Sequence, residues 1–357
     1  MIEKRARCPY DLELGKRHYF HRHVVLNNKP IITFIETTNY CNLSCPMCPR
    51  KMMARKVGFM EFDLFKRVIK KIKGNTASVW LHLYGEPLLH PELGRFINFC
   101  SANKIKPAIS TNATVLDADK SRMLLDSSLN RIILCIDGIN KETYSKVRAG
   151  GDFDTTKRNI LNFLQLAKKR NRKDLNVAVQ IIKTKDTLQE IDAFEREWHA
   201  AGANVIIEDF CSWGNQINII LKTCAPEKLW WSYRNGSNRY PCIKLWTEGG
   251  VLWNGDFAVC CMDFNGKIIA GNLSKESLKD IWNSPAMVNL RKEHIENKYT
   301  NSLCKNCAEY ENEIRHTLSF ARINSSVSSV IWQRVNYYIK HPSEIPAMLR
   351  GKLKIFL

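Results

Sequence analysis

Residues 31–50 read IITFIETTNYCNLSCPMCPR, and the fold follows from them. A short β-branched run, Ile31–Thr38, reads as a strand. It opens into a loop, Cys41-Asn42-Leu43-Ser44-Cys45-Pro46-Met47-Cys48, with C-x3-C-x2-C spacing. Three thiolates on one loop suit an iron–sulfur cluster. A structural zinc site wants a fourth ligand. Three thiolates also leave one iron open to a small molecule.

Working outward, five more strand-like runs follow at Ser78–Tyr84, Pro107–Thr111, Arg131–Asp137, Asn176–Ile182 and Asn204–Asp209. Helical patterns alternate with them at Glu61–Lys73, Pro91–Asn103, Ala118–Ser127, Phe153–Arg170 and Leu188–Ala200, and a further short segment, Lys141–Val147, separates the fourth strand from the long helix. Six βα units in series predict an α/β fold, a parallel sheet closed or partly closed into a barrel. Sites in such folds lie at the C-terminal strand ends, where every motif of this half falls.

No run approaches the roughly 18 apolar residues of a membrane span. The first sixteen residues have no apolar core after their charges, which argues against a secretory signal. The expectation is a cytoplasmic protein. Thirteen cysteines in a reducing compartment then point to metal or redox chemistry rather than disulfides. A net charge of +19 favours anionic partners and does not bear on fold. No RRM or KH signature supports nucleic-acid binding.

The cysteine loop and three downstream motifs, in order, resemble the radical S-adenosylmethionine (SAM) superfamily. Tyr84-Gly85-Glu86-Pro87 is similar to the family's GGEP motif, with Tyr84 in place of the first glycine. Ser110-Thr111-Asn112 matches a Ser/Thr-Asn pair, and Cys135-Ile136-Asp137-Gly138 an S-x-D-G segment with Cys135 for Ser. The resemblance implies a 4Fe-4S cluster on Cys41, Cys45 and Cys48, with SAM on its open iron. It also implies SAM contacts from Gly85, Glu86, Pro87, Ser110, Asn112, Asp137 and Arg148. Read without it, these are a Gly-Pro turn, a helix N-cap, a strand-end turn and a surface arginine. In the family, SAM is cleaved reductively to a 5′-deoxyadenosyl radical that takes hydrogen from the substrate. A reducing partner such as flavodoxin or ferredoxin is therefore expected.

Cys242, Cys260, Cys304 and Cys307 form a second constellation, C-x12-G-x4-C then C-x2-C, with Gly255 as the glycine. Alone it fits tetrahedral zinc as well as a cluster. Behind the first motif it resembles the SPASM or twitch extension of radical SAM enzymes, in the shorter form with one auxiliary 4Fe-4S cluster. Cys261 adjoins Cys260, and the spacing favours Cys260. The remaining cysteines, Cys8, Cys100, Cys135, Cys211 and Cys224, read as small apolar residues.

The organisation expected is an N-terminal extension (1–30), a partial (β/α)6 radical SAM barrel (31–210) and a linker (211–240). A small twitch/SPASM-like iron–sulfur domain (241–310) and a basic amphipathic tail (311–357) follow. Interleaved aromatics and bases in the tail suggest membrane-surface contact or packing on the barrel. The resemblance to twitch-type dehydrogenases implies oxidation or epimerisation of a small carbohydrate-like substrate, and the charge is compatible with an anionic, nucleotide-linked one. About thirty residues before the first strand are too few for a leader-peptide domain. Peptide modification and a non-catalytic electron carrier are the rival readings. No catalytic base stands out.

Overall fold

The computed structural model describes residues 10–217, 220, 222, 224 and 241–307. Cys8, most of the 211–240 linker and the tail from 311 lie outside them. Six parallel strands stand side by side in chain order: β1 (Ile31–Ile35), β2 (Ser78–Trp80), β3 (Lys106–Thr111), β4 (Arg131–Cys135), β5 (Asn176–Ile182) and β6 (Asn204–Glu208). Their register is parallel throughout, for example Phe34 with Trp80, Ile109 with Ile132 and Val179 with Val205. This is the sequential order of an opened (β/α)6 barrel.

Helix α1 (Tyr10–Phe20) precedes the sheet, in the segment to which the sequence reading assigns no element. The crossovers carry α2 (Phe62–Ile72), α3 (Leu93–Ala102), α4 (Ala118–Asp126), α5 (Lys141–Val147), α6 (Phe153–Lys169) and α7 (Ile191–Ala200). Their starts are set by capping: the side chains of Asp117, Asn140 and Asp152 accept from the amides of Lys120, Thr143 and Thr155. Their inner faces bury apolar stripes. In α2 these are Leu64, Phe65, Val68, Ile69 and Ile72. Each such burial is worth about 1.5–3 kcal/mol before chain entropy is counted.

Three of the strands stop two or more residues before the runs read for them end. β1 reaches Ile35 rather than Thr38, β2 Trp80 rather than Tyr84, and β4 Cys135 rather than Asp137. The residues beyond leave the ladder and build the site.

The C-terminal segment is joined to the same sheet. Strand β7 (Glu248–Val251) pairs parallel with the outer edge of β1, with Ile31 opposite Glu248 and Phe34 opposite Gly250. Strands β8 (Asp256–Ala258) and β9 (Ile269–Asn272) continue antiparallel, giving nine strands among the described residues. Gly250 is required here: a Cβ would sit 2.1 Å from the buried Phe34 ring. The core is likewise shared, Trp246, Phe257 and Trp282 packing in one cluster with Ile32, Phe65 and Ile109. Short helices α8 (Lys244–Thr247), α9 (Leu278–Trp282) and α11 (Ser302–Asn306) flank a longer one, α10 (Pro285–Glu296). A fully buried Arg291 in α10 donates to the carbonyls of Val24, Leu245 and Trp282, tying the N-terminal segment to this layer. Among the described residues no helix is long and apolar enough to cross a membrane.

Candidate functional site

Cys41, Cys45 and Cys48 line one cavity of about 220 Å3 at the C-terminal ends of the barrel strands. Gly85, Glu86, Ser110, Asn112 and Arg148 share its walls. Burial pushes the Cys48 thiol up to about 12, and the charges of Cys45 and Cys41 add to the effect; Cys41 is raised too, chiefly by burial. Buried thiols that oppose one another's ionisation are relieved by a cation held among them, so this donor set fits a metal cluster. Among the described residues no three Cys, His, Asp or Glu side chains converge tightly enough for a single ion. The thiols ring a cavity instead.

The residues around the loop hold it in place. Gly85 is pressed against the strand that leads into it: a Cβ would lie 2.2 Å from the Thr38 carbonyl oxygen and 2.8 Å from that of Tyr40. The Glu86 amide donates to the Tyr40 carbonyl at 2.8 Å. Buried Glu86 accepts from Thr111 Oγ1 (2.7 Å), the Asn112 amide (2.7 Å) and the Leu88 amide (3.0 Å). Burial raises its carboxyl above the ordinary range, against those three bonds. Pro87 opens a single 3-10 turn behind it and does not face the cavity. Asn112 Nδ2 lies 3.7 Å from Cys41 Sγ and 3.1 Å from Asn42 Oδ1, while its Oδ1 caps Thr114. The Gly-Pro turn reading therefore holds together with the cavity-wall place, whereas the helix N-cap reading of Ser110-Thr111-Asn112 does not: Asp117 caps the following helix, and Asn112 closes only a local turn on Thr114.

Asp137 and Arg148 are brought to each other. Arg148 Nε donates to Asp137 Oδ2 at 2.5 Å, with a second contact from Nη2. Asp137 is fully buried, also accepts from the Ile182 amide, and is not part of the cavity wall. Arg148 is part of it, with Nη1 3.9 Å from Cys45 Sγ. Burial opposes the Arg148 charge, but Asp137 and the nearby thiols outweigh it and hold the guanidinium charged.

The second constellation also converges. Cys242, Cys260, Cys304 and Cys307 line one small cavity with His294, whose Nδ1 accepts from the Cys242 amide at 3.2 Å. Cys261 faces elsewhere, into a chamber of about 400 Å3. That chamber lies between barrel and auxiliary layer. Thr33, Trp80, His82, Ser110 and Gln180 wall one side; Lys244, Glu248, Cys260 and Cys261 wall the other. His82, Ser110 and Gln180 also line the first cavity, so the two spaces adjoin. His82 Nδ1 accepts the Ser110 amide at 3.1 Å, which leaves its proton on Nε2, and burial lowers its pKa to about 4. It is a neutral donor.

His82, Gln180, Lys244 and Glu248 escape the sequence reading. Gln180 is the one with a signal, a polar residue inside the apolar run Asn176–Ile182. Of the cysteines read as apolar, Cys100, Cys135 and Cys224 are buried, whereas Cys211 is half-buried on the first cavity's wall.

The family profile of the radical SAM superfamily matches residues 35–196, and that of the SPASM iron-sulfur cluster-binding domain matches 242–308. A tungsten-containing aldehyde ferredoxin oxidoreductase cofactor-modifying protein of Pyrococcus furiosus is 20% identical over 313 residues, covering 77% of this chain and 86% of that one. The S-adenosyl-L-methionine-dependent 2-deoxy-scyllo-inosamine dehydrogenase of Niallia circulans is 23% identical over 279 residues, 76% of this chain and 90% of that one. The crystal structure of BtrN in complex with AdoMet and 2-DOIA superposes with a TM-score of 0.53 at 20% identity, covering 79% of this chain and 94% of that one. The chain belongs to the radical SAM superfamily, as an enzyme that carries a C-terminal SPASM iron–sulfur domain and takes S-adenosylmethionine and 4Fe-4S clusters as cofactors.

Proposed function

We propose that this enzyme removes two electrons from an alcohol carbon of a small, carbohydrate-like substrate seated in the chamber between the two cysteine sites. The chamber itself carries the reading. One wall is continuous with the cavity of Cys41, Cys45 and Cys48, and the other includes the auxiliary residue Cys260. A substrate there has a radical source on one side and an electron acceptor on the other. The lining suits a polyol: Trp80 offers an apolar face, and Thr33, His82, Gln180 and Glu248 offer hydrogen bonds. The dehydrogenase relative supports the same class.

In this reading Cys41, Cys45 and Cys48 hold the first cluster. Gly85, Glu86, Ser110, Asn112 and Arg148 surround SAM, with Asp137 positioning Arg148. Cys242, Cys260, Cys304 and Cys307 hold the auxiliary cluster. When bound, these groups supply reductive cleavage of SAM, hydrogen abstraction by the 5′-deoxyadenosyl radical, and uptake of the second electron. The residues do the rest. His82 Nε2–H orients a substrate oxygen. Glu248 is the carboxylate of the chamber wall, 3.3 Å from Lys244, and takes the hydroxyl proton on an Oε atom.

Anaerobic turnover with candidate polyols, nucleotide sugars and peptides tests this. A substrate deuterated at the reacting carbon should pass deuterium to 5′-deoxyadenosine and yield a carbonyl product. Deuterium transfer from a peptide, with none from any polyol, would overturn the substrate class. Glu248→Gln should keep SAM cleavage and lower carbonyl product by about 100-fold. Unchanged product from that variant removes Glu248 from the role.

A further inference from the structure

After β6 the chain makes a turn, Trp213–Asn215, that is left-handed at three consecutive residues, with φ of 53°, 66° and 58°. Two of the three are not glycine. Such a backbone persists only where its surroundings hold it, and here they hold it from two sides. Trp213 Nε1 donates to the Met47 carbonyl at 2.7 Å, between Cys45 and Cys48, and the indole lines the first cavity. Two residues on, Asn215 Nδ2 donates to the Asn306 carbonyl at 3.0 Å, between Cys304 and Cys307. Gly214 runs so close that a Cβ there would lie 3.7 Å from Cys307 Sγ. Gln216 Nε2 donates to the carbonyls of Trp213 and Met262, both at 2.9 Å, and Met262 is two residues past Cys260.

We propose that the Trp213–Gln216 turn couples the two cluster sites, with Trp213 and Asn215 as positioning residues for the first and second cysteine loops. The inference rests on the two-cluster reading above. Hydrogen bonds to the loops that carry cluster thiolates fix the ligand geometry and tune the potential. A turn pinned at both ends has little slack, so a shift in one loop reaches the other through it. Coupling of this kind is reciprocal.

The test uses the full chain, reconstituted anaerobically, with potentials from EPR-monitored redox titration and SAM affinity from binding. Asn215→Gly leaves the left-handed backbone accessible and removes a donor that faces only the C-terminal loop. It should nevertheless shift the potential of the SAM-binding cluster and weaken SAM binding roughly two- to thirty-fold. Trp213→Phe should shift the auxiliary potential, and the double variant should fall short of the sum. If Asn215→Gly moves only the auxiliary signal and SAM affinity holds, the coupling is wrong. A wild-type chain that loads a single cluster instead overturns the two-cluster reading.

Discussion

At the scale of single residues, ion pairs and hydrogen bonds hold the cysteine loop in place. Glu36, fully buried at the end of β1, accepts both guanidinium nitrogens of Arg55 at 2.9 and 2.8 Å. Arg55 also donates from Nε to the Phe264 carbonyl, so one pair ties the post-cysteine loop to barrel and auxiliary layer. Glu36→Ala leaves a largely buried guanidinium without its carboxylate. Urea unfolding should show a loss of about 3–5 kcal/mol, much of it recovered in Glu36→Ala/Arg55→Met; a loss below 1 kcal/mol would contradict this account. His82 gives a pH signature. Its folded pKa is depressed to about 4, so between that value and its unfolded value near 6.5 the unfolded chain binds more protons. Stability therefore falls as pH falls through this window, by about 2 kcal/mol from pH 7 to pH 5. His82→Gln should remove that component of the pH dependence in cluster-free protein.

At the scale of elements, the decisive junction is β7 on β1. Gly250 admits the buried Phe34 ring, which a Cβ would meet at 2.1 Å. Gly250→Val should cost about 1–3 kcal/mol by overpacking. The damage should fall on the auxiliary layer, so that bound iron drops toward half while SAM still perturbs the remaining cluster's EPR spectrum. Full iron loading would show that the junction tolerates a side chain. Tyr84 ties the same two layers. It stands where relatives of this chain are expected to carry glycine, and its Oη donates to the Cys261 carbonyl. The departure from the motif is thus occupied by a contact between the layers.

At the scale of the whole molecule, the two cysteine sets line separate cavities on either side of one chamber, which only Cys260 of the two sets reaches, and their roles should separate. Cys45→Ala should abolish release of 5′-deoxyadenosine from SAM under reduction. Cys304→Ala should retain part of it yet lose product. Full SAM cleavage by Cys45→Ala would sink the assignment of the first loop.

The sequence by itself determined the six βα units, whose apolar runs and caps are local and whose helix bounds agree with the structure to within three residues. It also singled out both cysteine sets, because spacing along a loop is a local property, and the structure brings each set to one cavity. Strand ends were less legible: Thr38, Tyr84 and Asp137 extend apolar runs but bend away to build the site. Only the tertiary structure decided that β7 completes the edge of β1 and that Asp137 is spent on Arg148. It alone brought His82, Lys244 and Glu248 to one chamber. His82 lies more than 160 positions before Lys244 and Glu248, and no pattern in sequence records a contact that exists only because two strands pair.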